Sequence, residues 1–326
     1  MYQLIPIAAL FVLTQIANAE PFFDDAGPAP GNLRFTWIHG SLSAKANTDV
    51  RVQVHRYNEH TYILRQNPAV HWEAPFMYLL FGQSRALLLD AGATAEAQYF
   101  PLRDVVQRVV ERWQFANNVE LQEVLIVPMG RSDFQVAALD QFSDWPLAQV
   151  VEPSEDARTK AFGSDWPDTG ELELGGRRLT IQSAPGLESQ AIAVYDSWTQ
   201  VMFTGNVLFP GRLVIRDFAS YQSTLKSLQE FSRQNPVLQL WGGRVEMSAE
   251  PGLDFILRSN YRPNERTLPL NVGAISDALG IVNLINGEKD IHIHNDFIVM
   301  HGVGRGARAY GWPVYIPEQF RKNNTR

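Results

Sequence analysis

Asp290, His292 and His294 alternate along one short stretch, and His301 follows seven residues later. Residues two apart on a strand share a face. With Asn295-Asp296 as a two-residue turn, His294 opposes Phe297, His292 opposes Val299 and Asp290 opposes His301. That folding gathers Asp290, His292, His294 and His301 on one face, where imidazole and carboxylate together suit zinc or another transition metal. An exposed polar strand face produces the same pattern and is the commoner arrangement, because most surface histidines bind nothing. The remaining histidines, His39, His55, His60 and His71, form no such spacing. Other chemistries are poorly represented. The chain has no cysteine, which excludes thiolate metal sites, a cysteine nucleophile and disulfides. Gly-x-Ser-x-Gly elbows, phosphate-cradling glycine loops and dinucleotide fingerprints are also missing from the sequence.

The elements that would position these groups follow from periodicity. Val50, Val52 and Val54 alternate with Arg51, Gln53 and His55, the period of a half-buried strand. Tyr62-Ile63-Leu64 returns after a turn at Asn58-Glu59, Phe76 to Phe81 is a continuous apolar run, and Ala86 to Leu89 ends at Asp90-Ala91-Gly92. Leu102, Val105, Val106, Val109, Val110 and Trp113 then fall on one helical face. The apolar run Val124 to Val127 leads into the loop Pro128-Met129-Gly130-Arg131-Ser132-Asp133-Phe134, followed by a short helix through Leu139. Short strands are expected at Glu171–Leu174, Leu179–Gln182, Ala191–Tyr195 and Val201–Thr204. Phe218 to Phe231 has helical spacing ended by Asn235-Pro236, and Val237 to Trp241 is the next strand. A strand pair, Ile291–His294 and Phe297–His301, lies near the C-terminus. Strands, helix, strand and loop recur in the same order, which predicts an α/β protein with an αββα sandwich.

With 326 residues, 45% of them hydrophobic, the chain is long enough to bury a full core without disulfides or structural metal. Its net charge of -7 argues against nucleic acid as a partner. Leu4 to Ile16 is mostly apolar, and Ala17-Asn18-Ala19 is a small-x-small cleavage site before Glu20. Residues 1–19 therefore read as an export signal, too short to leave a stable membrane span, with a periplasmic or secreted mature chain. Residues 20–49, rich in Pro, Gly and Asp, read as an extended lead-in, and residues 50–326 as the globular domain.

Over roughly residues 50 to 265 the chain resembles the metallo-β-lactamase superfamily. Leu88-Leu89-Asp90-Ala91-Gly92 resembles the hairpin ending in the family's Asp-x-Gly turn, and Val124 to Phe134 its strand and metal loop. Ala184-Pro185-Gly186-Leu187 resembles the Pro-Gly-His segment, Phe203-Thr204-Gly205-Asn206 the Thr-Gly-Asp segment, and Trp241-Gly242-Gly243-Arg244 the Gly-x-His segment. The resemblance implies the αββα sandwich of metallo-β-lactamase type. It also places Met129, Arg131, Asp133, Phe134, Leu187, Asn206 and Arg244 where the family has its ligands. Methionine is a poor zinc ligand, Phe and Leu offer no lone pair, and arginine repels a cation. One clear ligand of the seven, Asp133, remains.

The resemblance gives Asp90 the role of supporting the loop, so the vacated site would gather Asp90, Asp133, Arg131 and Arg244. These could pair internally, or the guanidinium groups could face a pocket and bind an anion. The expectation is that Arg131 pairs with an acid and Arg244 faces the pocket. The sequence thus reads as a degenerate member without a competent dinuclear zinc site and without a cofactor. It would be a non-catalytic binding protein for a small ligand, an anion among the options, or for a protein partner. The alternative is a hydrolase of the same superfamily using a relocated metal, such as zinc, or a metal-free site.

Overall fold

The computed structural model describes residue 23, residues 28–167 and residues 169–307. The export signal expected at 1–19 lies outside the described residues, as does the first part of the lead-in and the segment 308–326. Residues 28–49 carry a single short 3-10 turn, at Ala44–Ala46, and otherwise run irregularly beside the first strand, where Asn32 N–H donates to Tyr57 O at 2.8 Å.

The first half contributes β1 (Val52–Asn58), β2 (Thr61–Gln66), β3 (Phe76–Phe81), β4 (Arg85–Leu89), α1 (Leu102–Asn117), β5 (Glu123–Val127), α2 (Asp133–Val136), β6 (Ala148–Val150) and α3 (Glu155–Phe162). The second half follows with β7 (Gly170–Glu173), β8 (Arg178–Ser183), β9 (Ile192–Asp196), β10 (Val201–Gly205), β11 (Arg212–Ile215), α4 (Phe218–Gln234) and β12 (Gln239–Gly242). Last come β13 (Pro269–Asn271), α5 (Gly273–Ile285), β14 (Asp290–Ile293) and β15 (Ile298–His301).

Two six-stranded sheets result, in the orders β1-β2-β3-β4-β5-β6 and β13-β12-β10-β9-β8-β7, with a small sheet β11-β15-β14 beside them. Each large sheet begins as an antiparallel meander. A helical crossover then adds a parallel strand, β5 beside β4 and β12 beside β10.

The period of two along each strand decides which core every residue enters. Tyr78, Leu80, Leu87 and Leu89 point between the sheets, where they meet Leu179, Ile181, Val194, Phe203 and Trp241 of the second sheet. Their neighbours Met77, Leu79, Phe81, Ala86 and Leu88 point outward onto Leu102, Val106, Val110 and Trp113 of α1. On the other side Ala193, Tyr195, Met202 and Leu240 pack under Tyr221, Leu225 and Leu228 of α4 and under α5. The layers are therefore helix, sheet, sheet, helix. A strand buried on both faces reads as a continuous apolar run, which is why β3 was legible without alternation.

Helix α4 starts where the Asp217 carboxylate accepts the Ser220 N–H at 3.0 Å, and ends as expected before Pro236, with Asn235 in extended geometry. That turn also moves the next strand: β12 begins at Gln239 rather than Val237. Similarly, β1 begins at Val52, leaving Val50 exposed. The C-terminal hairpin has the expected register, with Asp290 opposite His301 and His292 opposite Val299.

Candidate functional site

The carboxyl ends of β4, β5, β10 and β12 deliver four loops to one end of the sandwich. Gly243 N–H donates to Gly205 O at 2.7 Å, and Phe76 N–H to Gly243 O at 2.8 Å, which ties the loops after β10 and β12 to the first sheet. Met129 O accepts Ile192 N–H at 2.8 Å, joining the loop after β5 to the second sheet. This is the place where parallel strands in α/β sheets present their ligand sites.

Asp90 holds the loop from beneath. It is fully buried, accepts the Met129 N–H at 2.7 Å and lies 3.2 and 3.4 Å from Gln135 Nε2. Burial pushes its carboxyl up to about 8, against the opposing pull of the Met129 N–H and the Gln135 amide. The loop itself folds around Glu188, a residue that sequence reasoning passed over. The Glu188 carboxylate accepts the Arg131 N–H at 2.6 Å, the Ser132 hydroxyl, and Asn206 Nδ2 at 3.3 Å. Arg158 of α3 clamps the same loop from behind, donating to Pro128 O at 3.0 Å and Gln190 O at 2.6 Å. Burial lowers its guanidinium to about 10, with Glu188 and Asp90 opposing the shift.

The close wrap makes Gly130 a sensitive position. A Cβ there would lie 1.8 Å from Glu188 Oε1 and 2.5 Å from Gln135 Oε1. Gly130→Ala is expected to destabilise the fold by ~1–3 kcal/mol through overpacking, read as a lowered urea midpoint. A wild-type midpoint would show that the Glu188 contacts are slack.

Arg244 occupies the middle of the site. Its guanidinium lies between two phenyl rings, 4.2 Å from the Phe134 centroid and 4.2 Å from that of Phe209. Its Nε is 2.8 Å from Glu246 Oε1 and 3.5 Å from Glu73 Oε2. Arg305 closes the cluster from outside, forking onto Glu73 at 2.5 and 2.8 Å and touching Glu246. Arg212 contributes its N–H at 3.0 Å and its Nη1 at 3.1 Å to Glu246, and pairs with Asp254. Burial raises the Glu246 carboxyl, but Arg244, Arg305 and Arg212 together hold it well below the usual carboxylate range. The gap beside this cluster is about 10 Å³, lined by Trp72, Glu73, Arg212 and Glu246 among others, room for a single water.

These positions reverse the expectation for the two arginines. Arg244 is buried and paired, whereas Arg131 is exposed, and neither Arg131 nor Asp133 makes an ion pair among the described residues. The reason is local: at the start of α2 the Arg131 and Asp133 side chains are exposed, and the groups that turn inward are the Arg131 backbone N–H and the Ser132 hydroxyl. Leu187 also departs from the expected grouping. It packs in the outer core under α4, while Met129 belongs to the core between the sheets. Phe134 does meet Arg244, whereas Asp90 holds the Met129 backbone and Asn206 reaches Ser132 and Glu188. Glu73, Glu188, Glu246 and Arg305 were missed. The one available signal was the spacing of two between Arg244 and Glu246, which puts both on one side of an extended segment.

Zinc does not fit this donor set. The positions named by the resemblance hold a thioether, a phenyl ring, an amide and a guanidinium. Asp90, Glu73, Glu188 and Glu246 are each engaged by N–H, hydroxyl or guanidinium donors, which leaves Asp133 as a lone carboxylate. The C-terminal patch also fails to assemble. His294 stacks on Phe297, His301 Nδ1 contacts Glu288 O at 2.8 Å, and no three His, Asp or Glu groups among the described residues are placed to hold a metal ion. The expected register is present, but it turns those side chains to separate partners.

The layer order is the αββα sandwich expected from the sequence. Among solved structures, the chain is similar to the metallo-beta-lactamase from Pontibacter korlensis, with 13% identity and a TM-score of 0.49 over 71% of this chain and 99% of that one. It is also similar to TMB-1, with 7% identity and a TM-score of 0.49 over 73% of this chain and 100% of that one. No protein-family model matches the chain, and no curated protein matches it. No described helix is long and apolar enough to cross a membrane.

Proposed function

We propose that this chain is an exported, non-catalytic binding protein built on the metallo-β-lactamase fold, and that its cargo is a small molecule. The observation that carries the reading is Arg244. A guanidinium held between Phe134 and Phe209 and tied to Glu246 puts a fixed positive charge among the converging loops, where the resemblance calls for cations. The guanidinium fills space there, and the carboxylates it engages are not free to ligate a divalent ion unless the cluster rearranges.

The test is elemental analysis of chelator-free protein. The expected result is no stoichiometric zinc, and no hydrolase activity gained on adding zinc. One zinc per chain, lost on Asp133→Ala, would overturn the reading. Export is tested separately, by mass spectrometry of the protein from its native host. The expected mature chain starts at Glu20, and an intact Met1 in the cytoplasmic fraction would remove export from the proposal.

A further inference from the structure

We infer that the cleft between residues 33–39 and residues 262–271 binds a small monocarboxylic acid with an aromatic or branched apolar body. This rests on the reading of the chain as a binding protein, and it places the ligand away from the Arg244 cluster. The cleft measures about 760 Å³, within the ~300–1,000 Å³ usual for small-molecule sites.

Its position follows from the topology. Residues 33–39 lie along β1, the outer strand of the first sheet, with Ile38 N–H donating to Gln53 Oε1 at 2.8 Å. Across from them stands β13, the outer strand of the second sheet. The cleft is the open flank of the sandwich, where neither sheet continues and side chains must close the core. Phe35, Trp37, Leu238 and Leu268 supply apolar walls. The rings are fixed before any ligand arrives: Phe35 stacks on His55 at 4.2 Å, and Trp37 meets Phe76 edge-on at 5.0 Å.

The charge of the lining selects the ligand. Arg262 lines the cleft and is buried. Its Nη1 donates to Val245 O at 2.7 Å and its Nε lies 3.1 Å from Glu265 Oε1, but its Nη2 has no hydrogen-bond partner among the described residues. Glu265 is already shared with the buried Arg65, whose Nη1 and Nη2 lie 2.6 and 2.7 Å from its two oxygens. Two buried guanidinium groups thus divide one carboxylate. The adjoining cluster cannot lend another, because there Arg212, Arg244 and Arg305 face Glu73, Glu246 and Asp254, three against three. Arg266, also on the lining, is matched by Asp296. Among the described residues of this group, one positive charge is left over beside an apolar cleft. A buried charge with only a shared counter-ion is costly, and the unpartnered Nη2 suits a charge-assisted hydrogen bond to one carboxylate oxygen. One excess charge suits a monoanion, and the aromatic walls suit its body.

The test is calorimetric titration of the mature chain with phenylacetate and, separately, with its neutral amide, phenylacetamide. The acid is expected to bind at least tenfold more tightly than the amide, a gap of about 1.4 kcal/mol. Trp37→Ala, at the cleft wall, is expected to weaken the acid about tenfold by removing its aromatic contact. Glu265→Gln adds to the positive excess and is expected to tighten binding, and Arg262→Met to abolish it. If Arg262→Met or Glu265→Gln does not fold, the comparison of acid and amide on the parent chain and the Trp37→Ala variant still decide. Equal binding of acid and amide, no saturable binding into the millimolar range, or weaker acid binding in Glu265→Gln would each overturn the inference. Zinc-dependent hydrolysis would defeat the broader reading but would leave these titrations unchanged, so the two failures are distinguishable.

Discussion

Replacing Arg244 by methionine is expected to lower the unfolding free energy by about 3 kcal/mol or more, while Arg131→Ala changes it by less than ~0.5 kcal/mol. The contrast comes from burial. The Arg244 guanidinium is in contact with two rings and two carboxylates, and burial lowers its pKa against the opposing pull of Glu73 and Glu246. Without it, Arg212 and Arg305 remain as the cations paired with Glu73, Glu246 and Asp254 among the described residues, so one carboxylate charge is left over in a largely buried cluster. Arg131 has an exposed side chain, and alanine keeps the backbone N–H that Glu188 accepts. Urea titrations of both variants check the difference. A further control uses the charge logic itself: adding Glu246→Leu to Arg244→Met should cost less than the sum of the two single changes, because each removes the other's partner. Additive losses would mean that Arg244 acts through ring packing alone.

How much of this could be read from the chain depended on whether the causes were local. The run Phe76–Phe81 is apolar because β3 is covered on both faces, and the spacing of Leu102, Val106, Val110 and Trp113 is set by one helix lying on one sheet. Both signals sit within a few residues, so both were legible, as was the turn at Asn235-Pro236. Helix α5 was not. Ala274, Ile275, Ala278, Leu279, Ile281, Val282 and Ile285 are all buried, which leaves few polar positions to mark a solvent face. At the site, the positions lacking metal ligands were visible one by one. The partners that occupy the space came from residues 73, 188, 246 and 305, and no spacing rule connects such distant points. Arg131 and Arg244 looked equivalent because charge is written in the sequence, whereas burial is decided by which loop turns inward.

The second large effect concerns pH and the carboxyl group beneath the loop. Asp90 sits at φ 66°, a left-handed geometry that Asp and Asn tolerate better than most residues. Asp90→Asn therefore changes the proton chemistry with little change in backbone preference. Burial raises the folded-state carboxyl from 3.8 to about 8, so the native chain keeps a proton that the unfolded chain releases near pH 4. A folded pKa above the unfolded one contributes stability that is complete below the lower value and is lost as pH rises through the higher one. Between these limits the parent should lose about 1.4 kcal/mol per pH unit from this group, and Asp90→Asn should not. The gap between the two stability curves should open from pH 4 and level off above pH 8, in urea melts taken at each pH. The geometry gives the retained proton a destination. Gln135 Oε1 is buried without a hydrogen-bond partner, while its Nε2 faces both Asp90 oxygens. An amide flip, which exchanges two nearly isosteric atoms, would let Oε1 accept the carboxylic proton. Parallel curves for parent and variant would mean that Asp90 is ionised in the fold, held by the Met129 N–H and the Gln135 amide.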